Sequence, residues 1–257
     1  SYSSVFLIEL ITFALMFALR FAFGEKADQS VVYSILSAVF GWIFSFIIAS
    51  GLINNRSGSL GEYFNQIQRI NLKVIVVNLI IAAITFLVLV ISGGFTTALL
   101  FLGFGSPNDN MSKGALTGVI IGFIFIVIFA LFTTYSNHVL ADPRNKDKSI
   151  DQAFKEVFVV GKKLFGKTLV LYLLYIILPV AILAAILFAT SARKVSIELM
   201  VGTGLIGGGL ILIYLLIAVP IISARIADNY LNLTGDIENS YEKIEENDDE
   251  YTITRNV

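Results

Sequence analysis

Leu, Ile, Val and Phe gather into six blocks, at about 5–23, 31–53, 72–92, 114–137, 167–190 and 200–222, and each block is almost free of charge. A helix rises 1.5 Å per residue, so about 20 residues cross a hydrocarbon core about 30 Å thick. In lipid the backbone must satisfy its own hydrogen bonds, which leaves helices or a closed barrel. A barrel shows alternating ten-residue segments, and these blocks are continuous. The pattern therefore predicts an all-α polytopic protein with six spans. The apolar stretch 93–105 is interrupted by Gly93, Gly94, Gly103 and Gly105. It is expected to extend the third span and then form an interfacial loop.

A second pattern lies between the blocks. The segments 59–64 (SLGEYF), 149–154 (SIDQAF) and 236–241 (DIENSY) each start with a cap-forming residue, continue with an aliphatic and an acid or amide, and end on an aromatic. Ser or Asp caps a helix N-terminus, and an acid in the first turn favours its dipole. After the first signal Leu60, Tyr63, Phe64, Ile67 and Ile70 recur at helical spacing, and after the second Ile150, Phe154, Val157, Phe158 and Gly161 do so. These segments are expected to be amphipathic helices in the membrane interface. The implied unit is a two-span hairpin followed by an interfacial helix, used three times at intervals of about 90 residues. Short, permissive matches of this kind also arise by chance. The transmembrane domain is expected over 1–234, and 235–257 is read as an acidic, flexible tail.

Composition narrows the chemistry. Of 257 residues 56% are hydrophobic and 14% charged, against about 25% charged in soluble domains. The chain has no Cys and one His, so disulfides, thiolate nucleophiles and His-rich metal or haem sites are not expected. The first span lacks the basic start and small-residue cleavage site of a signal peptide, and is read as a true span. Thirteen Lys and Arg flank one side of the six spans and five the other. The richer side is expected in the cytoplasm, with both termini there and the plasma membrane as the location.

The segment "SIDQAFKEVFVVGKKLFGKTLVLYLLY", with its weaker echo "SLGEYFNQIQRINLKVIVVNLI", resembles a loose group of multi-pass bacterial and archaeal families. The group includes the membrane domain found beside some glycerophosphodiester phosphodiesterases. The likeness covers about a quarter of the chain and contains no catalytic motif. It implies a membrane module and carries over no site residues.

Candidate functional positions follow from polar groups in apolar surroundings. Glu9, Thr12, Met16 and Arg20 recur at spacings of 3, 4 and 4, hence on one helix face. With Asn78 and His138 they form a candidate polar path, since charge in a membrane usually faces protein or water. Structural readings stand beside this one: Arg20 snorkelling, Glu9 at the headgroups, Asn78 in an interhelical hydrogen bond and His138 at a helix end beside Asp142. Glu9 and Arg20 lie about 16 Å apart along a helix and cannot pair. Gly114, Gly118 and Gly122, and Gly204 and Gly208, have the four-residue spacing of close helix contacts, within one chain or between protomers. The match of 202–207 (GTGLIG) to a dinucleotide fingerprint lacks the strand and aqueous turn that motif needs. Pro179 and Pro220 are expected to kink spans five and six. Arg144, Lys146, Lys148, Lys155, Lys162, Lys163 and Lys167 form a basic surface for anionic headgroups or a protein partner.

No nucleophile–base pair, metal-ligand spacing, phosphate-binding loop or paired intramembrane acids are present, and no enzyme activity, metal or cofactor is expected. Nothing points to nucleic acid. Two functions are expected instead: a transporter subunit or permease-like component for an apolar or amphipathic cargo, or a non-transporting scaffold, assembly or immunity-type factor that binds another membrane protein. A protein partner or homo-oligomer fits either.

Overall fold

The computed structural model describes residues 2–102, 110–191 and 197–235. Those residues are α-helical, with short 3₁₀ and π turns and no strand among them. The helices are α1 (Tyr2–Phe23), α2 (Val31–Asn54), α3 (Leu60–Phe64), α4 (Leu72–Leu102), α5 (Asn110–Thr133), α6 (Ser136–Ala141), α7 (Ile150–Tyr172), α8 (Leu178–Ser191) and α9 (Ile197–Thr234). Six stretches are long and apolar enough to cross a membrane: Tyr2–Phe23, Val31–Asn54, Leu72–Ile91, Gly122–Ala141, Ile150–Ile182 and Ile206–Thr234. Large apolar side chains on them stand open, with Phe21 83% and Ile91 68% exposed. Water would not tolerate so much exposed hydrocarbon, whereas lipid does.

Four helix bounds refine the sequence pattern. α4 runs unbroken through Gly93 and Gly94 to Leu102, because a glycine in an apolar medium keeps its backbone bonded within the helix. Within span four, α5 ends at Thr133. There the Thr133 hydroxyl donates to the Phe129 carbonyl at 3.0 Å and the Thr134 hydroxyl to that of Ala130 at 2.8 Å. Such back-bonding competes with the helical ladder and bends it, and α6 starts afresh at Ser136. The helix from Ile150 does not stop at the start of span five. It continues through α7 and a π turn at Leu173–Ile177 into α8. α9 likewise passes Pro220 and ends at Thr234, where Gly235 takes a positive φ of 77° and caps it.

Contacts divide the chain into two compact units, Ser1–Ile67 with Gly166–Val257, and Gln68–Phe165. In the first, α1, α2 and α9 pack together with α3 against α1 and α2, and α8 lies on α9. Its core joins Val5, Ile8, Ile47, Ile48, Leu52, Tyr63 and Ala227. Burying seven such side chains, at about 1.5–3 kcal/mol for each of the larger ones, is what holds these ends together. In the second unit α4 and α5 form a long antiparallel pair, with α6 against α4. The start of α7 joins them through ring contacts of Phe158 on Phe129 at 6.0 Å and Phe165 on Phe132 at 5.3 Å.

The first two copies of the repeated segment are built alike. The Asn55 carbonyl accepts from the Gly58 N–H at 3.0 Å, and the Asn145 carbonyl from the Lys148 N–H at 3.2 Å. Next the Ser59 carbonyl accepts from the Tyr63 N–H at 3.1 Å, and the Ser149 carbonyl from the Ala153 N–H at 2.9 Å. The Ser59 N–H donates to the Glu62 carboxylate, and the Ser149 N–H to Gln152 Oε1 at 3.1 Å. A turn closed on an asparagine carbonyl, followed by a serine start that the third residue caps, occurs at both places. The third segment, 236–241, and the acidic tail lie outside the described residues.

Candidate functional site

α1 and α9 enclose a groove of about 310 Å³ in the first unit. Glu9, Thr12, Phe13 and Met16 line it from α1, and Leu212, Leu215, Leu216 and Val219 from α9. The spacing of Glu9, Thr12 and Met16 puts them on one face, and that face is turned to α9. Glu9 is half-buried there. The Thr12 hydroxyl donates to the Ile8 carbonyl at 2.8 Å, which fixes its rotamer and leaves its oxygen as an acceptor. Pro220 has no N–H to donate to the Leu216 carbonyl four residues earlier, and Leu216 is itself a wall of the groove. The groove thus combines one carboxyl group, one hydroxyl and a proline-interrupted helix with otherwise hydrocarbon walls.

The residues of the candidate polar path fall in both compact units. Glu9, Thr12 and Arg20 belong to α1, but Arg20 is exposed in its last turn and does not line the groove. Asn78 and His138 belong to the other unit. Asn78 donates to the Val74 carbonyl of its own helix at 3.0 Å instead of donating across to another helix. His138 is buried, with its ring 6.0 Å from that of Tyr135. Its carbonyl accepts the Asp142 N–H at 3.1 Å, at the end of α6.

The junction at the ends of α1, α2 and α9 is tightly bonded. The Ser4 hydroxyl donates to the Gly58 carbonyl at 2.9 Å, and Arg56 pairs with Asp228 of α9. Tyr63 is fully buried against Gly51, where a Cβ would meet its ring at 2.3 Å. Its hydroxyl donates to the Arg56 carbonyl at 3.2 Å. Burial pushes the Tyr63 phenol up to about 12, with the nearby Arg56 charge opposing. The Ser59 backbone N–H, then the Ser59 hydroxyl, hold the Glu62 carboxyl below the ordinary carboxylate range.

In the second unit Lys73 donates to three carbonyls of the following junction, those of Asn145 at 2.6 Å, Lys146 at 2.8 Å and Lys148 at 3.2 Å. One ammonium with three donors thereby closes a turn that has lost its helical partners. The basic surface read from the sequence is partly neutralised. Arg144 pairs with Asp142 at 2.6 Å and Lys148 with Glu156 at 3.0 Å, while Lys155 lies 3.9 Å from Asp151. Lys146, Lys162, Lys163 and Lys167 stand exposed.

Among the glycines whose surroundings are described, two make close approaches to another helix. A Cβ at Gly161 would lie 2.0 Å from the Phe132 carbonyl oxygen, and one at Gly51 meets the Tyr63 ring. At Gly208 a Cβ would meet nothing within 4 Å, and Gly122 is buried. The surroundings of Gly114, Gly118 and Gly204 lie outside the described side chains. Pro179 has a defined answer within the fold. Tyr175 sits four residues before it, and its carbonyl accepts the Tyr214 hydroxyl of α9 at 2.7 Å. The sequence marks the proline but gives no sign of which side chain answers it.

Comparison with known families, curated proteins and solved structures finds no match to this chain.

Proposed function

We propose that this chain is a permease-like membrane component that carries a mostly apolar, amphipathic molecule along the groove between α1 and α9. The observation that carries this reading is the groove's composition: Glu9 and Thr12 set among Phe13, Met16, Leu212, Leu215, Leu216 and Val219. Such a lining accepts a hydrocarbon body and offers a polar head one carboxyl and one hydroxyl. A small, strongly polar solute would leave most of the wall unmatched. A half-buried acid inside a span is expensive and is kept where it contacts cargo, water or a partner. The proposal places the chain in the plasma membrane with both termini in the cytoplasm, on the distribution of Lys and Arg. Anionic headgroups meet its free basic residues, and a second protein or a second copy completes the assembly. The likeness to membrane domains beside glycerophosphodiester phosphodiesterases fits a module that works next to other proteins.

The test is flux in proteoliposomes of a phospholipid labelled with nitrobenzoxadiazole, read by dithionite quenching. The parent chain should move the label between leaflets, and Glu9→Gln should slow it. Flux equal in Glu9→Gln and parent would remove Glu9 from the mechanism. One observation favours the scaffold reading: Gly208 sits on an exposed stretch of α9 with open space around it, where a second membrane helix could come close. Co-purification from native membranes separates the two, an ATPase supporting transport and a structural membrane protein supporting a scaffold.

A further inference from the structure

A second groove in the first unit, of about 410 Å³, has different walls and a different chemistry. Lys167, Val170, Leu171 and Leu174 line one side, and Arg225 and Asn229 the other. The first four recur at spacings of 3, 1 and 3, which is one helix face, and the last two are one turn apart on α9. Lys167 ends a run with no further charge until Arg193, and Arg225 ends a run with no charge back to Glu198. Two charge-free runs, 168–192 and 199–224, therefore finish on cations that line one groove, and spans made of those runs would set both cations at the headgroups. Among the described residues neither cation makes an ion pair, whereas Arg56, Arg144 and Lys148 each have a carboxylate. Asp228, the acid beside Asn229, is already paired with Arg56. Below the cations Val170 and Leu174 are 53% and 55% exposed, so the apolar wall is uncovered by the protein.

We propose that this groove binds one anionic phospholipid. Its phosphate lies between Lys167 and Arg225, the Asn229 amide donates to a phosphate oxygen, and an acyl chain runs down Val170, Leu171 and Leu174. Two cations with no carboxylate of their own call for net negative charge, which a zwitterionic lipid offers only in part. A soluble phosphate would leave the apolar wall empty. The site is separate from the Glu9 groove and stands whether or not that groove carries cargo.

The experiment is native mass spectrometry of the full chain, delipidated in detergent and titrated with phosphatidylglycerol, phosphatidylcholine or glycerol phosphate. The parent should retain one phosphatidylglycerol and bind phosphatidylcholine more weakly. Each of Lys167→Ala and Arg225→Ala should weaken phosphatidylglycerol about fivefold, the worth of one basic residue near an anionic surface. Gly166→Leu offers a test without a charge change, because a Cβ there meets nothing within 4 Å and a larger side chain fills open space beside Lys167. It should lower lipid occupancy while the thermal unfolding temperature does not fall. Lys162→Ala with Lys163→Ala removes equal charge outside the groove and should leave the bound lipid in place. The proposal is overturned if Lys167→Ala with Arg225→Ala binds phosphatidylglycerol like the parent. It is equally overturned if the control pair loses as much, or if glycerol phosphate displaces the lipid at equal concentration.

Discussion

Gly161 and Gly166 lie five residues apart on α7, and the same substitution should act in opposite directions at the two. At Gly161 an added methyl carbon would sit 2.0 Å from the Phe132 carbonyl oxygen and 2.7 Å from its carbonyl carbon. Ordinary contact needs more than 3 Å, and the obstacle is backbone, so α7 must move away from α5 by about an ångström. Overpacking of this kind costs about 1–3 kcal/mol, with the upper part of the range expected against backbone. Alanine recovers about 0.5–1 kcal/mol of helix propensity, leaving a net loss of about 2 kcal/mol. At Gly166 the propensity gain stands alone, because nothing lies within 4 Å. In detergent-solubilised protein a loss of about 2 kcal/mol lowers the unfolding midpoint by about 4–8 °C in a chain of this size, and Gly166→Ala raises it by a few degrees. Intrinsic fluorescence during a thermal ramp measures both. Equal shifts of the same sign at the two positions would refute the close approach of α7 to Phe132.

Tyr214→Phe should cost about 1 kcal/mol by freeing the Tyr175 carbonyl. In a Pro179→Ala background, where residue 179 again offers an N–H, the loss should vanish, and a double-mutant cycle measures this. Ser59→Ala removes one half of the cap on α3 and should cost about 1 kcal/mol by the same unfolding assay. Because the Glu62 carboxyl is held below its ordinary range, its contribution is complete above that range and is lost as pH falls through the lowered value. Glu62→Gln should therefore flatten the acid limb of a stability–pH curve. Tyr63 acts at the other end: its phenol stays neutral up to about 12 in the folded chain, so stability should be full below pH 10 and decline above it. Tyr63→Phe should remove that alkaline decline.

The span positions were legible because charge-free Leu, Ile, Val and Phe runs have few alternatives in lipid. Both serine-capped junctions were legible too, since a cap and its first turn are local in sequence. Longer-range partners were not. Nothing near Gly161 announces that Phe132 lies against it. Lys167 was read with its neighbours as a basic patch, yet its groove partner, Arg225, is on a helix 58 positions away in the chain. Pro179 was visible, but not that Tyr214 would supply the hydrogen bond it removes. The path residues Asn78 and His138 were grouped with Glu9 because all three are polar in apolar runs. That shared property says nothing about which compact unit each belongs to.

Transport along the α1–α9 groove requires that water and cargo reach it from one face of the membrane. Since the chain has no cysteine, single replacements report without background. Thr12→Cys and Leu216→Cys place thiols in the groove, and Phe17→Cys places one on an exposed face of α1 turned to lipid. Reaction of each with a charged methanethiosulfonate in intact membranes is the direct measurement, because the reagent needs an ionised thiol and therefore water. Labelling is expected at residues 12 and 216 and none at 17. All three thiols remaining unreactive would contradict transport along this groove.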